Sequence, residues 1–468
     1  MYEARFIFLF ICSNIMYHLI CYTPSYYSPM HRKTLAYVLP ANTTFTILKQ
    51  TRRSPMKKFT ANKTGLNLLM INAFIYISFS MYTPYLSSYF SKAGINAVEI
   101  GILLTIGPVI SILIQPIWAV ISDKTGKRKV VLSIVVLGNA LAILSFYIGK
   151  SFASFFIAST LLAIFNTSLV PLSDAIILRS AHKNQLDFSK IRMGGTIGYA
   201  VFVIFSGIIV RQNPDLAFAM GCISFFVLFL FVRLLPKDET EKLSGNSIPS
   251  TAGPSSDKQE NASLMIMKSK RPSPFHIFES GQIYFLLVFA FISQVGLSFN
   301  YSFLGVYMLD MGLSEGTIGL INCISALSEL PVLFLMNRVL KKLDTTKVAI
   351  IACLLLGLRI ITVTGGSLPF VALSQTMHGL TFMTLYIGIA VFISKNVKPE
   401  NQSRGQSILA LIQTGIGSIT GNILGGYLVD AYGLKAAYTT MTLLVVTVAG
   451  LVALLQYFYL RMHKSAVL

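Results

Sequence analysis

Five ionisable residues stand within or at the edge of long apolar runs in this 468-residue chain: Asp174, Arg192, Glu329, Arg359 and His378. Moving a charge from water into hydrocarbon is costly, so such groups persist where they pair with one another, grip a solute or carry a proton. Glu329 offers a carboxylate, His378 an imidazole that titrates near neutrality, and Arg359 a permanent cation that needs an anion. At 1.5 Å rise per residue, Glu329 lies ~20 Å into its run, His378 ~14 Å and Arg359 ~17 Å, all near mid-depth of a ~30 Å hydrocarbon layer. Glu329 is the one carboxylate at that depth in the second half of the chain. The cheapest arrangement therefore pairs it with Arg359 and leaves His378 as the titrating neighbour. Such a cluster can carry protons or serve as a clamp between helices. Asp174 and Arg192 lie shallower, on either side of a short connection. An arginine fork there can hold a carboxylate and two substrate oxygens together; the plainer alternative is an interfacial salt bridge. No phosphate loop, metal-binding histidine pair or nucleophile elbow accompanies them, so no enzyme activity, cofactor or metal is expected.

The elements that must position these groups are membrane helices, since 54% of the residues are hydrophobic and only 12% charged. A spanning helix needs about 20 apolar residues. Twelve runs qualify: 66–90, 98–121, 130–149, 152–177, 191–210, 216–235, 282–308, 316–337, 348–366, 369–393, 405–430 and 436–459. Residues 236–281 form a Ser-, Pro-, Lys- and Asn-rich linker between two sets of six, giving halves at 56–235 and 282–468. The net charge of +20 is topological, and nucleic acid is not an expected partner. Counted along alternate sides of the spans, 26 Lys and Arg fall on one side, while the other has Lys92, Lys150, Arg211 and Lys435. Both ends of the twelve-span body and the linker are thereby expected in the cytoplasm of a cell-membrane protein.

Residues 1–55 stand apart. Their apolar run Phe6–Tyr22 reads as a signal anchor, a thirteenth span or, preferentially, sequence ahead of a true start at Met56-Lys57-Lys58. Five dispersed cysteines, Cys12, Cys21, Cys222, Cys323 and Cys353, read as small core residues. Pro84, Pro108 and Pro171 read as helix bends lining a moving cavity, and the Gly417, Gly421, Gly425 ladder as a close-packing face.

The loop after the second span, Asp123-Lys124-Thr125-Gly126-Lys127-Arg128-Lys129, resembles the gating-loop signature of major facilitator transporters, with Ala119 where the family has a glycine. Asp123 can ion-pair at a helix end and Gly126 permits the tight turn. An internal repeat agrees: Ile100-Gly101-Ile102 and Gln115-Pro116 recur as Ile318-Gly319-Leu320 and Leu330-Pro331. Four segments are similar to the lactose permease and phenylpropionate permease branch: Pro171 to Asp174, Phe188 to Tyr199, Ser328 to Pro331, and Leu358-Arg359 with Met377 to Phe382. The resemblance implies that Asp174 and Arg192 grip substrate hydroxyls and that Tyr199 takes the place of a tryptophan stacked on the sugar ring. It likewise implies that Glu329, Arg359 and His378 form the polar cluster of helices 8 to 10. Thr381 stands where lactose permease has its proton-carrying carboxylate, and Gln375 where it has a lysine, a pattern closer to the phenylpropionate side. The expectation is an all-α protein of twelve transmembrane helices in two six-helix bundles, a monomer whose partners are lipid, proton and a small solute. Proton-coupled symport of a sugar, nucleoside or aromatic acid is the leading reading, beside proton-driven efflux of sugars or drugs and a non-transporting sensor on the same fold.

Overall fold

The computed structural model describes residues 63–235, 278, 281–398 and 401–465. The leader 1–55 and almost all of the linker 236–281 lie outside the described residues, as do the readings made of them. From Asn67 onward the described chain belongs to one compact unit, and its regular elements are all helical.

Twelve long helices follow in order: α1 Lys63–Lys92, α2 Ala97–Thr125, α3 Arg128–Tyr147, α4 Phe152–Lys183, α5 Phe188–Gln212 and α6 Leu216–Arg233. After the linker come α7 Gln282–Asp310, α8 Glu315–Lys342, α9 Thr345–Val363, α10 Leu368–Asn396, α11 Arg404–Tyr432 and α12 Leu434–Ser465. Eleven are long and apolar enough to cross a membrane. The remaining helix, α8, carries Asn322, Ser325 and Glu329, which line an internal cavity. Outward faces are apolar: Leu113, Leu141, Ile148, Leu443 and Leu455 are all exposed, as a lipid-facing surface requires.

Local chemistry sets the helix ends. Asn96 and Glu99 form a reciprocal capping box at the start of α2, with Glu99 N–H donating to Asn96 Oδ1 at 2.8 Å. At its far end Gly126 adopts φ +65°, the left-handed turn expected of it, and Arg128 ion-pairs with Asp123 at 2.8 Å. Lys127 follows in the turn as the residue before α3.

In lipid, helices associate through close packing more than through burial, so small residues mark the crossings. Each repeated glycine seats one half on the other. A Cβ at Gly101 of α2 would strike the Asn422 carbonyl of α11; one at Gly319 of α8 would strike the Val203 carbonyl of α5. Their counterparts complete the symmetry, Gly426 against Val98 Cα at 3.0 Å and Gly207 against Gly316 Cα at 3.2 Å. The α2/α11 and α5/α8 contacts are thus equivalent under the internal repeat. Gly417, Gly421 and Gly425 pack on α7 at Gln294, Val295 and Phe299, as a packing ladder should. Cys323 and Cys353 are buried and Cys222 is half-buried.

Of the three prolines, Pro84 sits in a 3-10 turn, Thr83–Tyr85, that interrupts α1 beside the cavity. Pro108 and Pro171 lie inside continuous α2 and α4 and do not line it.

Candidate functional site

A cavity of about 370 Å³ lies between the halves. Helical spacing builds its walls. On α8, Asn322, Ser325 and Glu329 recur at intervals of three and four; on α10, Gln375, His378 and Phe382 do the same. Thr196 and Tyr199 come from α5, Tyr301 from α7, and Tyr76, Thr83 and Pro84 from α1.

The α8/α10 crossing sets the central pair. A Cβ at Gly379 would strike the Ser328 carbonyl and come within 2.8 Å of Glu329 Cα, so only glycine permits this approach. Gly379 N–H donates to Ser328 Oγ at 2.9 Å, locking the register. His378 Nε2 then meets Glu329 Oε1 at 3.0 Å, with the Tyr301 hydroxyl 3.4 Å from the other ring nitrogen. α10 breaks at this point: Leu368–Thr376 ends at Met377 and a new helix starts at His378. Interrupted helices at mid-membrane expose backbone and side chains to a ligand. His378, Phe382 and Tyr386 stack along the second segment, with ring centroids 5.5 and 6.0 Å apart.

The expected Glu329 to Arg359 pair does not form. Arg359 donates to Gln375 Oε1 at 2.8 Å and to Thr381 Oγ1 at 3.2 Å, under the Tyr301 ring, and is wholly buried. Rise per residue gives depth but not azimuth: Arg359 reaches the Gln375 and Thr381 face of α10, and Glu329 reaches the His378 face. Ser325 Oγ donates to the same Gln375 oxygen at 2.8 Å, tying the cavity wall to the arginine behind it.

Asp174 and Arg192 are brought together at 3.6 Å, with side chains 32% and 42% exposed, and neither lines the cavity. Arg192 instead lies over the Tyr76 ring at 4.7 Å, and Tyr76 does line it. Tyr199 lies on the cavity wall as expected and packs against Ala200, Val203 and Cys323.

Sequence reasoning missed Tyr76, Tyr301 and Phe382. Aromatic residues in an apolar run carry no mark of the face they occupy. Asn322 and Ser325 did leave a signal, polar residues seven and four positions ahead of Glu329.

At the end away from the basic loops the halves are latched. Lys92 of α1 ion-pairs with Glu315 of α8, beside Tyr85, whose O–H is held within the first half by the Val203 carbonyl at 2.8 Å. Gly305 of α7 comes against Ser87 and the Pro84 carbonyl.

Two pseudo-symmetric halves of six helices around one polar cavity, latched at one end, define a multi-pass membrane transporter of the major facilitator fold. The chain belongs to the MFS_1 like family, which matches residues 66–440. It is 24% identical over 384 residues to a maltose permease of Geobacillus stearothermophilus, covering 81% of this chain and 91% of that one. A lactose permease of Citrobacter freundii is 20% identical over 379 residues, covering 77% and 86%. Among solved structures, a point mutant of the nucleoside transporter NupG superposes with a TM-score of 0.69 at 18% identity, covering 83% of this chain and 98% of that one.

Proposed function

We propose that the protein is a proton-coupled symporter of a small, neutral, hydroxyl-bearing solute, a sugar or a nucleoside, moved by alternating closure of the two halves around the cavity. The observation that carries this reading is the Glu329–His378 contact on the cavity wall at 3.0 Å: a carboxylate and an imidazole can exchange a proton where solute binds. The walls favour a neutral solute over an aromatic acid. They present Tyr, Phe, Asn, Gln and Ser, and among the described residues no lysine or arginine lines them, Arg359 being closed off behind Gln375 and Tyr301. Tyrosine faces suit a sugar ring or a nucleobase, and amides and hydroxyls suit its polar edge. The maltose and nucleoside permeases among the relatives support the same class.

The experiment is uptake into energised vesicles, with sugars, nucleosides and aromatic acids offered in parallel. An inward proton gradient should drive accumulation of one of the first two classes, and a protonophore should abolish it. Gradient-driven extrusion would instead identify an exporter, and equilibration without accumulation a uniporter.

The basic loops lie on the cytoplasmic face in this reading, and the latched end faces outward. A reporter fused after residue 240 is expected to be cytoplasmic and one at residue 94 external; an external signal at 240 overturns the orientation.

Asp174 and Arg192 act as the grip at the cavity's edge. Arg192→Lys is expected to weaken solute binding by about tenfold, because an ammonium cannot reproduce a planar fork that meets both Asp174 and the Tyr76 ring. Equilibrium binding of the transported solute measures it. Unchanged affinity in the lysine variant would leave the pair a structural bridge.

A further inference from the structure

Arg359 makes no direct ion pair among the described residues. Its side chain is 0% exposed, its acceptors at Gln375 and Thr381 are neutral oxygens, and its Nε has no partner. Among the described residues no carboxylate comes within ion-pairing distance of it, and Glu329 is engaged by His378. A guanidinium stays protonated, and a buried cation is retained when an anion meets it.

Two more buried groups without partners lie on the same side of the bundle. Asn300 of α7 is 0% exposed and neither of its amide atoms is hydrogen-bonded; Tyr438 of α12 is 0% exposed and its hydroxyl is free. Chain geometry brings them to Arg359. Phe299 packs obliquely on Tyr438 with ring centroids 4.7 Å apart, Tyr301 covers the guanidinium at 6.0 Å, and Asn300 is the residue between them in sequence. One turn earlier, a Cβ at Gly296 would stand 3.1 Å from Ile360 of α9 and 2.9 Å from Val445 of α12, so α7, α9 and α12 converge at this level.

The unpartnered donors here are a guanidinium N–H, an amide NH₂ and a phenolic O–H. Polar groups buried without partners are uncommon in native proteins, and two beside a buried cation that has no direct ion pair call for a ligand that accepts hydrogen bonds and brings negative charge. We propose that α7, α9 and α12 form a buried site for a small monovalent anion, chloride being the probe, held by Arg359 Nε, Asn300 Nδ2 and Tyr438 Oη. Gln375 and Tyr301 both line the solute cavity and touch Arg359, and so mark the route by which the anion enters. A water molecule satisfies the dipoles but leaves the charge, and so is the competing occupant. This inference does not depend on the proposed solute or on proton coupling.

The test is thermal unfolding of the purified full chain in detergent as sodium gluconate is replaced by sodium chloride at constant ionic strength. The midpoint should rise saturably with chloride. Tyr438→Phe, which removes one donor, should raise the half-saturating chloride concentration about tenfold. Thr381→Glu supplies a fixed carboxylate beside Arg359 Nη1 and should abolish the chloride response while keeping the midpoint in gluconate at or above the wild-type value in chloride. If Thr381→Glu does not fold, Asn300→Leu takes its place and should weaken the response as Tyr438→Phe does. A wild-type midpoint that is flat from gluconate to chloride overturns the site, as does a response equal in all variants, which would be a general salt effect.

Discussion

Glu329→Gln is expected to reduce pH-driven accumulation from about tenfold per unit of imposed pH difference, the limit for one proton per solute, to none. Glutamine keeps the shape and a hydrogen bond toward His378 Nε2, 3.0 Å away in the native protein, but it cannot bind and release a proton. Solute exchange across the membrane, which needs the cavity to alternate but no net proton movement, should persist in the same variant. That separation distinguishes a coupling residue from a residue that merely holds α8 against α10. His378, in contact with Glu329 and lining the same cavity, should shift the pH dependence of uptake when replaced by Gln. Should Glu329→Gln still concentrate solute against a gradient, the coupling lies elsewhere or the protein is a uniporter.

Gly379→Val is expected to be the most damaging single change to the fold at the site. The position has no room for a Cβ: Ser328 C lies 2.6 Å and Glu329 Cα 2.8 Å from where it would be, and both are backbone atoms that no rotamer change can move. Overpacking typically costs about 1–3 kcal/mol, and with backbone on the opposing side about 3 kcal/mol is expected. The variant should show a lowered unfolding midpoint in detergent and a smaller monodisperse yield. Because the same crossing holds His378 against Glu329, any protein that does fold should lose gradient-driven uptake with it. Gly94→Ala gives the contrast in space: no neighbour lies within 4 Å, although its φ of +82° still strains a side chain. A stable, active Gly379→Val protein would show that α8 and α10 are farther apart than described.

Much of the architecture was legible because membranes impose simple rules. Run length against a ~30 Å layer located every helix, although the C-terminal ends of α4, α8 and α12 run on past the expected bounds to Lys183, Lys342 and Ser465, and the repeat of Gly101 as Gly319 foretold two related halves. Gly126 and Asp123 were legible as a turn and an ion pair because their chemistry is local. The pairing of Asp174 with Arg192 was legible through the resemblance and the short connection between their helices. The partner of Glu329 was not, because helix rotation and neighbour choice are set by side-chain packing along the whole bundle.

From the sequence alone came the number and order of the membrane helices, the asymmetry of basic loops, the two related halves, and the depth of each buried charge. These follow from composition and from a fixed rise per residue, which act locally. Tertiary structure alone decided that His378 faces Glu329, that Arg359 lies behind Gln375 and Tyr301 with no ion-paired carboxylate among the described residues, and that Tyr76 rather than Arg192 lines the cavity. Those facts depend on which faces of α8, α9 and α10 meet. The closeness of that meeting is allowed by one missing Cβ, at Gly379.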